Sequence, residues 1–313
     1  MTTTLRRLAV LTMAGGIVAG LCASSALAAP ATGSSGSSSD STGKPGKRDG
    51  SVPPDGSDDW ACHLTVAHPK PVVLVHGTWG NQNDWDILSP QLKADGYCVF
   101  SLNYGRDTAS AMGAKPGIYA TGDIGNSAHE LAAFLDRVRA ATGVDRLDIV
   151  AHSQGALAVR QYLRFLGGAP RVDRLVSIAG TNHGTTMGGL SNLLNDGSAT
   201  GSADGLAARV VGVAAIQQLA GSEFVRTLNA GGDTDPGIDY TVIASHADKV
   251  STPPEATFLT AGPGAHVDNL WVQDYCATDA FDHGTLPQSP TVDYLVRRAL
   301  DPSYAGVACP AAS

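Results

Sequence analysis

The 313-residue chain carries 21 basic and 29 acidic side chains, a formal net charge of −8, with 43% hydrophobic and only 16% charged residues. An acidic balance excludes nucleic acid as a partner, because phosphate binding rests on clustered Lys and Arg. It favours solubility and leaves the substrate open.

Met1 to Ala28 opens with Arg6 and Arg7, runs on through Ala, Gly, Leu and Val, and ends in Ala26-Leu27-Ala28. A basic start, an apolar middle and a small-x-small end mark a secretory signal peptide rather than a membrane anchor. Cys22 follows Leu21, where a lipoprotein signal requires a small residue, so export without a lipid anchor is expected. Beyond Ala28, 19 basic side chains face 29 acidic ones, a net of about −10. No later stretch is long and apolar enough to span a bilayer, so no integral membrane segment is expected once the signal is removed.

Residues 29–59 are dominated by Ser, Gly, Pro and Asp. Such a segment cannot bury enough apolar surface to offset its ordering entropy, and a flexible leader is expected there. Trp60 to Ser313, 254 residues without an internal repeat or second linker, fit one large domain. Four cysteines remain in the exported part, Cys62, Cys98, Cys276 and Cys309. An even number in an oxidising compartment implies two disulfides, for which three connectivities exist. The pairing we favour is Cys62 with Cys98, near neighbours in chain order, and Cys276 with Cys309, which ties down the tail. A metal site is the alternative, and no Cys-x-x-Cys spacing supports it.

Pro71 to Val75 (PVVLV) is a continuous apolar run, the pattern of a strand buried on both faces of a parallel sheet. It ends in His76-Gly77-Thr78-Trp79-Gly80, a glycine-rich turn whose backbone N–H groups can point into a cleft. A short helix over 81–96 (Trp85, Leu88, Leu92), a strand at Tyr97 to Leu102, and a helical stripe at 124, 128, 131, 135 and 138 closed by Gly143 come next.

From Leu147 the chain reads LDIVAHSQGALAVRQYLRFL: a short apolar run, a break at Ala151-His152-Ser153-Gln154-Gly155, then apolar residues at 156, 159, 163 and 166. That is strand, sharp turn and helix. Small-x-Ser-x-Gly recurs by chance in any Ala/Gly-rich chain, but between a strand and a helix it is the context in which a serine Oγ is pushed out above a sheet as a nucleophile. The N–H of Gln154, at a helix start, has no intrahelical partner and is expected to bind an oxyanion; the N–H of Thr78 is the second such donor. His76 is read as a structural residue beneath its turn.

Leu175 to Ala179 and Tyr240 to Ala244 are further strands, and strands alternating with helices imply an α/β fold with a mostly parallel sheet covered on both faces. Residues 183–237 break the rhythm, with helical patches at 206–219 and 224–228, and are read as an excursion that shapes a substrate pocket or lid. A serine nucleophile needs a base, and the base needs an orienting carboxylate, in the chain order Ser, Asp or Glu, His. Asp248 follows the strand ending at Ala244 and so lies on the edge that carries Ser153; Asp239 precedes that strand, and Asp268 and Asp274 flank the next, Asn269 to Gln273. Among the late histidines, His246 is too near Asp248 in sequence and His266 lies at the amino edge, leaving His283 as the base. Pro290 to Leu300 closes the domain as a helix with Val292, Leu295, Val296 and Ala299 inward.

The strings PVVLVHGTWGN, DIVAHSQG, QYLRFLGG, TNHGTT, YTVIASHADKVSTP and DHGTLPQSP together resemble the secreted bacterial triacylglycerol lipases and esterases of the α/β-hydrolase superfamily, from about Cys62 to the end. Six ordered motifs are far more specific than one elbow. The resemblance implies carboxylic-ester hydrolysis without a cofactor, with Ser153, Asp248 and His283 in the triad positions, Thr78 and Gln154 at the oxyanion hole, and a lipid or other ester as substrate, in solution or at an oil–water interface. Ala151 stands where the commonest pattern has Gly; small bacterial lipases with Ala there leave the role of the serine intact. The rival readings are a secreted acyltransferase with the same triad, separable by product analysis with an added acceptor, and a non-catalytic surface module on this fold, which need not retain all five positions.

Overall fold

The computed structural model describes residues 49–187 and 202–309. The signal peptide expected over 1–28, the leader as far as residue 48 and residues 188–201 of the expected excursion lie outside the described residues. Six strands form one sheet: β1 (Val72–Val75), β2 (Val99–Leu102), β3 (Leu147–His152), β4 (Val172–Ile178), β5 (Asp239–Ala244) and β6 (His266–Trp271). They lie in the order β2-β1-β3-β4-β5-β6, and every pairing is parallel.

Parallel strands with both faces covered must be apolar at every position, and alternate residues then serve opposite layers. Val73, Val75, Phe100, Ile149, Ala151 and Val242 share one core with helices α2 (Ile124–Thr142) and α3 (Gln154–Phe165). Val72, Leu74, Val99, Val150, Val176 and Ile243 share the other with helix α1 (Leu88–Ala94) and the closing helix α8 (Pro290–Leu300). The stripe expected on α2 is buried throughout, Asp123 caps its start by accepting the Asn126 N–H, and Gly143, at φ +72°, ends it. Between β4 and β5 lie α4 (Ser202–Val211), α5 (Val213–Gln217) and α6 (Glu223–Asn229); a four-residue turn, α7 (Val272–Tyr275), follows β6. Among the described residues, no helix is long and apolar enough to cross a membrane.

Both disulfides join the cysteines expected, Cys62 with Cys98 and Cys276 with Cys309. Two boundaries need correction. The leader expected to stay free through Asp59 is held against the domain from Asp49 onward. The Gly50 carbonyl accepts from Gln82 Nε2 (2.8 Å) and Asn103 Nδ2 (2.7 Å), the Val52 carbonyl accepts from Asn83 Nδ2 (2.8 Å), and Ser57 pairs with Val99 at the outer edge of β2. Polar side chains thus do what apolar burial cannot, and they cover an otherwise open sheet edge. The last strand begins at His266 rather than Asn269 and ends at Trp271, because its register with β5 pairs Asp239 with His266 and Ala244 with Trp271.

Candidate active site

β3 ends at His152 and α3 begins at Gln154, so Ser153 alone makes the turn, at φ +55° and ψ −125°. A non-glycine residue rarely holds a positive φ, and strain of this kind persists only where the surroundings fix it. Here the Ser153 N–H donates to the Ile178 carbonyl at 2.9 Å, and the Ser153 carbonyl accepts from the Ala156 N–H at 3.1 Å. The crowding also demands glycine two residues on: a Cβ on Gly155 would sit 2.7 Å from the Val75 carbonyl oxygen and 2.8 Å from that of His76.

Asp248 stands in the turn after β5, and Oδ1 accepts the N–H groups of Val250 (2.7 Å) and Ser251 (2.9 Å). That leaves Oδ2 for His283 Nδ1, at 2.8 Å, while His283 Nε2 lies 2.9 Å from Ser153 Oγ. The three residues are 3%, 9% and 4% exposed respectively. A carboxylate can only accept, so Nδ1 carries the ring proton and Nε2 is left to accept from the serine hydroxyl. Hydroxyl, imidazole and carboxylate are therefore connected in the arrangement that acyl transfer by a serine would require.

The turn after β1 brings Thr78 beside the elbow, where its Oγ1 donates to Gln154 Oε1 at 2.7 Å. Gln154 is the first residue of α3, so its N–H has no acceptor within the helix. Thr78, Trp79, Met187, Val250, Ser153 and His283 are among the residues lining a cavity of about 220 Å³. A larger cleft of about 460 Å³, among Arg174, His266, Tyr275 and Arg298, lies at the opposite sheet edge, away from this cluster.

The other acidic and histidine candidates fall elsewhere. Asp239 is exposed at the start of β5; Asp268 and Asp274 are exposed. His246 is exposed and stacks on Trp271 at 3.9 Å, and His266 faces Asp268 at 3.7 Å. His76 is fully buried beneath its turn, stacked on Tyr104 at 4.6 Å, whose hydroxyl donates to the His76 carbonyl at 2.7 Å. Burial pushes the Tyr104 phenol up. Sequence reasoning missed His152, whose ring centre is 4.8 Å from that of His283, and also Met187 and Gln218, which the excursion brings to the cavity. Its place beside the elbow serine was a signal for the first; the other two sit in a stretch without periodicity.

A family described as lipase (class 2) matches residues 69–265. Among solved structures, Aspergillus fumigatus lipase B is similar with a TM-score of 0.57 and 20% identity, over 79% of this chain and 57% of that protein. The chain thus spans little more than half of the Aspergillus enzyme. The mature form of Bacillus licheniformis lipase BlEst2 is similar with a TM-score of 0.51 and 16% identity, over 80% of this chain and 96% of that one. A structure from the pair LipS and LipT, metagenome-derived lipolytic enzymes, gives 0.50 and 18%, over 77% and 96%. At such identities the likeness is one of fold.

Proposed function

The chain belongs to the lipase (class 2) family and has the α/β-hydrolase fold, and from that premise we propose that it is a secreted serine hydrolase that cleaves carboxylic esters, triacylglycerols foremost. Ser153 is the nucleophile, His283 the base and Asp248 its orienting partner. The observation that carries this reading is the unbroken run from Asp248 Oδ2 through both ring nitrogens of His283 to Ser153 Oγ, at 2.8 and 2.9 Å, on a strained elbow facing a cavity.

His283 Nε2 takes the proton from Ser153 Oγ as it attacks the ester carbonyl, and Asp248 stabilises the imidazolium that forms. The carbonyl oxygen gains charge and is held by the backbone N–H groups of Thr78 and Gln154, each such donor contributing on the order of 3 kcal/mol. His283 then gives its proton to the departing alcohol oxygen, leaving the acyl group on Ser153. Water, deprotonated by the same nitrogen, attacks the acyl-enzyme; as the tetrahedral intermediate collapses, His283 returns that proton to Ser153 Oγ, and the acid and the free serine are released. The buried turn of Asp248, tied to two backbone amides, keeps the imidazole aimed throughout.

The test is a series of p-nitrophenyl and glyceryl esters from short to long acyl chains, run below and above the solubility limit, with Ser153→Ala beside the wild type. Triacylglycerol hydrolysis by the wild type is expected, and Ser153→Ala should lose roughly 10⁴-fold or more in kcat. Turnover that persists in Ser153→Ala would overturn the nucleophile; hydrolysis confined to short soluble esters would overturn the lipid substrate.

A further inference from the structure

Gln218 stands where three segments meet behind the oxyanion donors Thr78 and Gln154, and its role depends on that reading of the pair. It is 1% exposed and ends α5, its backbone N–H donating to the Ala214 carbonyl at 3.2 Å. Its side-chain Nε2 donates to the same Ala214 carbonyl at 3.0 Å and to Thr78 Oγ1 at 2.8 Å, and lies 3.5 Å from Gln154 Oε1. Its Oε1 accepts from Thr181 Oγ1 at 3.0 Å. A carbonyl can only accept, so the contact with Ala214 fixes which end of the amide is nitrogen.

That assignment sets the direction of the whole network. Thr78 Oγ1 receives an N–H from Gln218 and gives its one proton to Gln154 Oε1 at 2.7 Å. The hydrogen bonds therefore run in one sense, from Thr181 to Gln218 to Thr78 to Gln154, and Thr181, Gln218 and Gln154 are all buried. Thr78 lies in a turn whose flanking backbone is bonded, Trp79 N–H to the Tyr119 carbonyl at 3.0 Å and Gly80 N–H to that of Gly77 at 3.1 Å, while Thr78 itself is tied through its side chain to Gln218 and Gln154. Oxyanion donors act only when held close to where charge will develop, and the side-chain bonds of Thr78 are what join this turn to the elbow at Gln154. The Gln218 carbonyl also accepts the Thr185 N–H at 2.9 Å, two residues before Met187 at the cavity wall.

We propose that Gln218 is a positioning residue that sets the spacing of the two oxyanion donors, so that the excursion between β4 and β5 is part of the catalytic apparatus. Although it borders the cavity, its amide is engaged by Ala214, Thr78 and Thr181, and it acts by holding Thr78 against Gln154.

The experiment compares wild type, Gln218→Met, which keeps the volume and removes the amide, and Thr181→Val, which removes only the hydroxyl that braces it. Steady-state kinetics on a short soluble p-nitrophenyl ester, the inhibition constant of an alkyl trifluoromethyl ketone and thermal unfolding are measured on each. The ketone adds to the nucleophilic serine and leaves an oxyanion in the same place as the reaction does. In Gln218→Met, kcat falls about 10-fold or more, KM stays within about threefold, and the ketone constant rises in parallel with the loss in kcat/KM. Thr181→Val shifts the same two quantities in the same direction by less. A folded Gln218→Met with kcat and ketone affinity within about twofold of wild type overturns the proposal, as does a loss confined to KM. Should Gln218→Met fail to fold, Thr181→Val decides by the same comparison, and no shift in it overturns the proposal. Ser153→Ala separates the two levels: if it still turns over, the reading of the site fails, and if it is dead while Gln218→Met is normal, only the tether fails.

Discussion

Asp248 turns one carboxylate oxygen to two backbone amides and the other to His283. Replacing it by Asn keeps the shape and an acceptor for the amides but puts an N–H donor opposite His283 Nδ1. The ring proton must then move to Nε2, which faces Ser153 as a donor and can no longer accept the hydroxyl proton. Asp248→Asn is expected to lower kcat by about 10⁴-fold with KM little changed, and to unfold at nearly the wild-type temperature. Steady-state kinetics beside a thermal melt check this; full activity in the Asn variant would remove Asp248 from the mechanism. These residues were legible because chemistry and topology constrain them together. A serine between a strand and a helix, an aspartate just past a later strand and a histidine beyond that must share one sheet edge when every strand is parallel.

At the scale of elements, the loop after β4 is fastened by His183, whose Nδ1 donates to the Ala256 carbonyl and whose Nε2 donates to Asp233 Oδ1, both at 2.9 Å. Two donating nitrogens require the imidazolium, and the bond to Asp233 holds the His183 pKa above its ordinary value. Burial works against the Asp233 carboxylate, but its bonds to His183 and the Thr260 N–H, with the charges of His183 and Arg160, bring it down to about 2. A raised histidine stabilises the fold fully below about 6.5 and loses that contribution as pH rises through its folded pKa; a depressed aspartate does so fully above about 4 and loses it as pH falls toward 2. The difference in melting temperature between wild type and His183→Gln should therefore be greatest from about pH 4 to 6.5 and shrink on both sides; a difference flat from pH 3 to 9 would rule the pair out as the fastener. Neither periodicity nor turn chemistry marked this pair or Gln218, because the side-chain bonds from His183 to Asp233 and from Gln218 to Thr181 and Thr78 span 50, 37 and 140 positions. The docked part of the leader was hidden for a related reason. It is held by the side chains of Gln82 and Asn83 and by the Ser101 N–H rather than by apolar residues of its own, and composition registers only the latter.

At the largest scale, the six-stranded parallel sheet of the described residues places the carboxyl ends of its strands on one rim, and the turns after β1, β3 and β5, with the loop that follows β6, meet there. The Cys62–Cys98 bond closes a span of 36 positions and ties the segment entering the domain to the root of β2. Loop-closure entropy for that length is worth roughly 4 kcal/mol. The Cys276–Cys309 bond anchors the tail beyond α8 to the turn after β6, a few residues before His283. The scaffold is thus fixed at both ends while the site is assembled from loops on one rim. The most direct measurement is active-site labelling of the intact enzyme with an alkyl phosphonate ester, followed by peptide mass spectrometry, on wild type and His283→Ala. One phosphonyl group per chain, on the peptide containing Ser153, formed in the wild type and at least about 10³-fold more slowly in His283→Ala, is the predicted result. Inactivation accompanied by a label on any other residue, or labelling of Ser153 at an unchanged rate without His283, would contradict it.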